Sequence, residues 1–323
     1  MRVITFAEAL VEAQREEMLR NPDVFLIGED IGYSGGSFGA TAGLWKEFGS
    51  QRVLDTPISE AAIMGAATGA AIAGMRPVVE MMYLEFLPYI DALVNLTAKL
   101  HLMSGGQIRV PLVLRGPLGA KQGNGAQHTQ NFESWFVHTP GLLVAMPSLP
   151  YDAKGLLKTA IRDDNPVVFV EDKTSYFLQG EVPEGEYTLP FGQADVKRPG
   201  RHVTLIATGI TVVRAQKAAN KLADQGVEVE VIDPRTLVPL DMATIAASVR
   251  KTGRVVVAHQ APRSGGFGAE LVARIQEEVF DWLDAPVVRV AGLDTPAPYN
   301  VALEKKALVQ EDDIIAGVRQ VLA

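Results

Sequence analysis

Two successive α/β domains, each built on a doubly wound and mainly parallel sheet, are predicted by three features of the sequence. Short β-branched runs that are apolar throughout recur along the chain. Helix-length patterns separate them, and the alternation stops and restarts once, between Gly180 and His202. Strands without a polar face belong to sheets covered on both sides, and alternating helices supply the parallel crossovers.

The elements follow in order. The opening MRVITFAEALVEAQREEMLR predicts a helix capped by Thr5, with Glu8 completing a capping box. Glu8 and Glu12 break the apolar core that a signal peptide would need. Strands are predicted at 24–27, 52–54, 77–79, 110–114, 142–145 and 166–170, with long helices at 86–103 and 151–162. The prolines, glycines and mixed charges of GEVPEGEYTLPFGQADVKRPGRH mark a connection. The expected division is therefore a first domain at 1–185, a linker at 186–202 and a second domain at 203–323. In that second domain strands are predicted at 203–207, 227–232, 255–258 and 287–290. Helices are predicted at 212–225, 242–251, 268–282 and 312–322.

The chain has 323 residues, more than one hydrophobic core commonly serves. A net charge of -8 and a pI near 5.3 give no basic footprint for nucleic acid. Cysteine is absent, which removes disulfides and thiolate metal sites and fits a reducing cytoplasm. A cytoplasmic protein with no membrane segment is expected.

Neither G-x-G-x-x-G nor a P-loop occurs. Gly32-Tyr33-Ser34-Gly35-Gly36 satisfies G-x-S-x-G, but the predicted strand ends near Ile27 and more glycines stand where a helix should begin. A flexible loop is expected there, not a nucleophile elbow. The histidines form no H-x-x-x-H or H-E-x-x-H pattern. His128 follows the glycine-rich GPLGAKQGNGAQ, which could carry it to a cleft mouth. An imidazole is useful there, although a loop histidine without a role fits the same string.

DTPISEAAIMGAATGAAIAG places one acid, Glu60, at the head of a run of Ala, Gly and Ile. Ser59 suits an N-cap, and an acid just after it gains from the helix dipole. Gly65 and Gly69, however, each weaken a helix by roughly 0.8–1 kcal/mol relative to alanine. Ala62, Gly65, Ala66, Gly69 and Ala73 form a face almost without side chains. Another helix or a flat ligand is expected to approach it closely.

DTPISE, the MSGGQ–VPLVLRGP segment, GAQHTQ, HTPGL, PYDAKGLLKTAIRDDNPVVFVE and EVPEGEYTLP together resemble the beta subunits of the thiamine-diphosphate-dependent 2-oxo acid dehydrogenases. These form the decarboxylating component of the pyruvate, branched-chain 2-oxo acid and acetoin complexes. The resemblance runs from about Val3 to the end. It implies a transketolase-like pyrimidine-binding domain followed by a transketolase C-terminal domain. It also implies an α2β2 heterotetramer with active sites between subunits, and a lipoyl-bearing acyltransferase core as partner. The family's alpha subunit holds the cofactor diphosphate through magnesium with a GDG motif. This chain has no Gly-Asp-Gly, its nearest string being Gly28-Glu29-Asp30.

Under the resemblance, Glu60 is the acid that hydrogen-bonds a ring nitrogen of the aminopyrimidine and so promotes activation of the thiazolium carbon. Burial should then raise its pKa, against the lowering expected of a helix cap. Ile58, Met82 and Phe86 fall where the family lines the pyrimidine pocket. Branched-chain members commonly carry tyrosine at the Phe86 position, so a pyruvate-type or acetoin-type enzyme is expected, pyruvate being favoured. His128 matches the histidine near the lipoyl entrance. Leu112, Ala160, Ile161, Asp163 and Asn165 match positions where relatives bind potassium, largely through backbone carbonyls. An acetoin or branched-chain 2-oxo acid dehydrogenase beta subunit is the alternative within the family, and a non-catalytic structural or interaction subunit that kept the fold is the alternative of another class.

Overall fold

The computed structural model describes residues 1–323. Its contacts divide the chain into two compact units. One is Met1–Leu118 with Trp135–Phe191; the other is Gly119–Ser134 with Gly192–Ala323.

The first unit begins with β1 (Arg2–Thr5) and α1 (Phe6–Arg20), then β2 (Val24–Glu29), α2 (Leu44–Phe48), β3 (Val53–Thr56), α3 (Glu60–Ile72) and β4 (Arg76–Glu80). After α4 (Leu100–Met103) come β5 (Val113–Leu118), α5 (Glu133–Val137), β6 (Leu143–Ala145), α6 (Pro150–Arg162), β7 (Val167–Asp172) and β8 (Gln179–Val182). The strands run in the order β6-β7-β5-β4-β2-β3, every neighbour parallel. β2, β5 and β7 are buried along their whole length, which is why their sequences carry no polar alternation. The expected capping box forms: Thr5 Oγ1 accepts from the Glu8 N–H at 3.2 Å and the Glu8 carboxylate accepts from the Thr5 N–H at 2.7 Å. The helix it starts packs on α6, where buried Lys154 reaches Glu16 at 2.6 Å.

At the centre of this sheet lies a buried ion cluster. Arg115 on β5 donates two bonds of 2.7 Å to Glu171 on β7 and also pairs with Glu80, its neighbour on β4. Tyr176 donates to the same Glu171. Burial raises the Glu80 pKa, opposed by the Arg115 guanidinium.

The second unit holds β9 (Asp195–Arg198), β10 (Val203–Ala207), α7 (Ile210–Ala223), β11 (Val229–Asp233), β12 (Thr236–Val238), α8 (Met242–Thr252) and β13 (Val255–Pro262). α9 (Phe267–Val279), β14 (Val288–Gly292), α10 (Val301–Ala307) and α11 (Glu311–Leu322) complete it. Its sheet runs β14-β13-β10-β11-β9, parallel except for the antiparallel edge strand β9. Residues 119–134 are tied to this unit. The Gly123 N–H donates to Glu304 at 3.1 Å, and Gly125 lies so close to the Tyr299 ring that a Cβ there would meet it at 2.3 Å.

Both units are therefore α/β with mainly parallel sheets. One local expectation is corrected. The long helix expected at 86–103 is broken into a 3-10 turn (Leu87–Tyr89), a π-helical turn (Ala92–Thr97) and α4. Thr97 Oγ1 bonds the Ala92 carbonyl at 3.0 Å and the buried hydroxyl of Thr68 at 2.8 Å, which stabilises the wider turn. The stretch expected to be the connection contributes the end of β8 and all of β9. No helix is long and apolar enough to cross a membrane.

Candidate active site

The C-terminal ends of β3, β2 and β4 lie side by side, the edge at which open parallel sheets bind ligands. Each contributes to the candidate site. β2 ends in Glu29, β3 leads through Ile58 to Glu60, and β4 leads to Met82 and Phe86.

Glu60 is the first residue of α3 and is half-exposed. Ser59 occupies the N-cap position but makes no side-chain capping bond. Its backbone N–H instead acts on the Glu29 carboxylate, holding its pKa down against the effect of burial. Glu29 is only 4% exposed, and its Oε1 has no hydrogen-bond partner. Burial raises the Glu29 pKa, and the Glu60 and Asp30 carboxylates raise it further. Two acids thus share one corner, one sunk behind the sheet edge and one at its mouth. Neither neutralises the other.

Behind Glu60 the small-residue face is open. Ala62, Gly65, Ala66, Gly69 and Ala73 are exposed, and a Cβ on either glycine would touch nothing within 4 Å. α3 also presents Ile63, Met64 and Ala67 to the core, so its two faces are sharply distinct. Ile58 is 81% exposed, a large apolar side chain beside the acid. Met82 and Phe86 are half-buried, and Phe86 stands edge-on to Tyr83 at 5.2 Å between centroids. Lys173 sits over the Tyr83 ring at 4.3 Å and pairs with buried Glu85. That fixes the segment after β4.

The glycine-rich loop at 32–36 is a turn with exposed Ser34, and the next helix starts only at Leu44. It makes no nucleophile elbow. Gly36 has φ +82, and a Cβ on it would lie 2.9 Å from a Glu80 carboxylate oxygen.

His128 ends a short 3-10 turn, Ala126–His128, begun by Gly125 at φ 77, and is half-buried among residues of the second unit. Leu112, Ala160, Ile161, Asp163 and Asn165 meet around the start of β7. Here the Leu112 carbonyl accepts from the Val167 N–H at 2.8 Å. Asp163 Oδ1 accepts from Asn165 N and Nδ2 at 2.8 and 2.9 Å. Arg76 donates to the carbonyls of Ile161, at 2.9 Å, and of Asp163. The cation visible at this corner is a guanidinium.

Glu29 is the residue that sequence reasoning missed. An acid closing an otherwise apolar strand is the available signal in the sequence.

Known proteins match the chain along almost its whole length. A family model for the transketolase pyrimidine binding domain matches residues 2–179, and one for the transketolase C-terminal domain matches residues 192–314. The pyruvate dehydrogenase E1 component subunit beta of Rickettsia felis is 46% identical over 319 residues, covering 98% of each chain. That of Rhizobium meliloti is 45% identical over 323 residues, covering 99% of this chain and 70% of the relative. The 2-oxoisovalerate dehydrogenase subunit beta of Bacillus subtilis is 43% identical, covering 99% of each. A solved structure described as a split gene transketolase, inactive beta4 tetramer, superposes with a TM-score of 0.82 at 24% identity, over 99% of this chain and 98% of that one. With both domains in order and close relatives along almost the whole chain, the protein belongs to the family of 2-oxo acid dehydrogenase E1 beta subunits.

Proposed function

We propose that this chain is the beta subunit of a thiamine-diphosphate-dependent pyruvate dehydrogenase component. Assembled with an alpha subunit, it would decarboxylate pyruvate oxidatively and pass the acyl group to a lipoyl domain. The observation that carries the reading is the pair Glu29 and Glu60 at the C-terminal sheet edge. An unpartnered carboxylate oxygen buried behind a second acid fits a ligand with a ring nitrogen that exchanges a proton.

The cofactor, when bound, supplies the electron sink for loss of carbon dioxide. This chain's residues would do the rest. Glu60 presents its carboxyl group to the pyrimidine ring nitrogen, and Glu29 opposes the loss of a proton from the pair, because two adjacent carboxylates resist joint ionisation. Ile58, Met82 and Phe86 supply the flat apolar surface on which an aromatic ring can lie. His128 would handle protons during acyl transfer.

The lack of Gly-Asp-Gly supports a reading in which the alpha subunit holds the diphosphate and its magnesium, and the exposed Ala/Gly face of α3 suits close approach of another chain. The reading includes an α2β2 assembly, with a lipoyl-bearing acyltransferase as its further partner. A potassium ion at 160–165 would share carbonyls with Arg76, each oxygen having a second lone pair. Potassium should then raise the melting temperature above that in equal sodium.

The test is to co-express the chain with a cognate alpha subunit and offer pyruvate, 3-methyl-2-oxobutanoate and acetoin in parallel, reading both decarboxylation and lipoyl reduction. Pyruvate should give the highest kcat/KM. Preference for the branched substrate or for acetoin would overturn the choice of pyruvate. His128→Ala should reduce lipoyl reduction more than decarboxylation.

A further inference from the structure

The second unit contains a cavity of about 400 Å³ at the carboxyl ends of β13 and β14, within the size range of small-molecule sites. Its unpaired polar groups are a hydroxyl and an amide. Thr129 is 7% exposed and its Oγ1 has no partner; the Asn131 Nδ2 is buried and likewise unpaired. Gln260 gives its Oε1 to the Val309 N–H at 3.0 Å, so the amide NH2 is what it can offer the cavity. Phe132, Leu293, Pro296 and Leu308 supply apolar walls.

The charge pattern is selective. No Lys, Arg or His side chain lines the space, while Asp294 does. Asp294 accepts from the Ser264 N–H and Oγ at 2.9 and 2.7 Å. An anion would meet that carboxylate with no counter-charge. A cation would face buried N–H groups. A neutral carbonyl satisfies the Asn131 and Gln260 amides, and an N–H beside it can donate to the Thr129 hydroxyl.

We propose that this cavity is a binding site for an uncharged amide on a short apolar body. The open edge of this sheet is where α/β folds place ligands, and the orphaned hydroxyl and amide are the groups such a ligand would satisfy. The site lies wholly within the second unit and draws on none of the residues assigned to catalysis.

The experiment titrates the full chain, labelled at Ala and Leu methyl groups, with hexanamide, sodium hexanoate and hexylamine at equal concentrations. Hexanamide should shift the methyl resonances of Ala126, Leu293, Ala297 and Leu308 saturably, whereas the two charged probes should not. Thr129→Val, which keeps the shape, should weaken hexanamide by about tenfold or more, and Asn131→Leu should do the same. Methyl signals unchanged away from the cavity show that each variant is folded. Equal binding of hexanoate or hexylamine, binding unchanged in both variants, or no saturable shift would each overturn the proposal.

Discussion

The Glu60 carboxylate raises the proton affinity of buried Glu29 beyond what burial alone does, while the backbone N–H of Ser59 opposes the rise. The two acids are coupled electrostatically.

A stability test follows from the sign of that shift. Glu29 holds its proton more tightly folded than unfolded, so its contribution is present below the ordinary glutamate pKa and is lost as pH rises. Glu29→Gln should remove that loss. Denaturant unfolding at pH 4 and pH 7 should show the wild type losing more stability over this interval than the variant. Equal losses would mean that Glu29 is not perturbed.

The Arg115 cluster should be unforgiving. Arg115→Met leaves Glu80 and Glu171 buried without their cation, and breaking such a pair costs about 3–5 kcal/mol. Adding Glu171→Gln should recover part of that loss, measurable as a rise in the denaturation midpoint. A double variant no more stable than the single would show that the charge is not the cause.

His259 should set part of the acid sensitivity of the second unit. It is fully buried, with its ring against Gly266 and Gly268 of the α9 start. Burial, and then Arg289, pushes its pKa down from 6.5 to about 4. The folded state therefore refuses a proton that the unfolded chain accepts. Stability is full above pH 6.5 and falls between there and pH 4, by about 3 kcal/mol for a shift of this size. His259→Asn should flatten the pH dependence in that window while lowering stability at neutral pH. A slope unchanged by the substitution would assign acid sensitivity elsewhere.

How much of this was legible in the sequence depends on what each element buries. β2, β5 and β7 were legible because both their faces are covered, and α1 because its cap is encoded by Thr5 and Glu8. β9 is an antiparallel edge strand with a polar composition, so it reads as loop. The break after Phe86 depends on the Thr97 hydroxyl meeting Thr68, a contact 29 residues away in sequence. At the candidate site, Glu60 stood out because a bare Ala/Gly run follows it. Glu29 did not, because its significance comes from a neighbour across the strand edge. The membership of 119–134 in the second unit rests on Gly125 fitting under Tyr299, a relationship no local pattern encodes.

The measurement that tests the central claim most directly is thiamine-diphosphate-dependent decarboxylation of pyruvate by the alpha–beta assembly carrying Glu60→Gln. Glu60 is half-exposed and makes no ion pair, so the variant should assemble and melt like the wild type. Its kcat should nevertheless fall by about 100-fold or more, the scale of a positioned acid–base group. A correctly assembled Glu60→Gln enzyme with wild-type kcat would contradict the account and return Glu60 to the role of a helix-end acid.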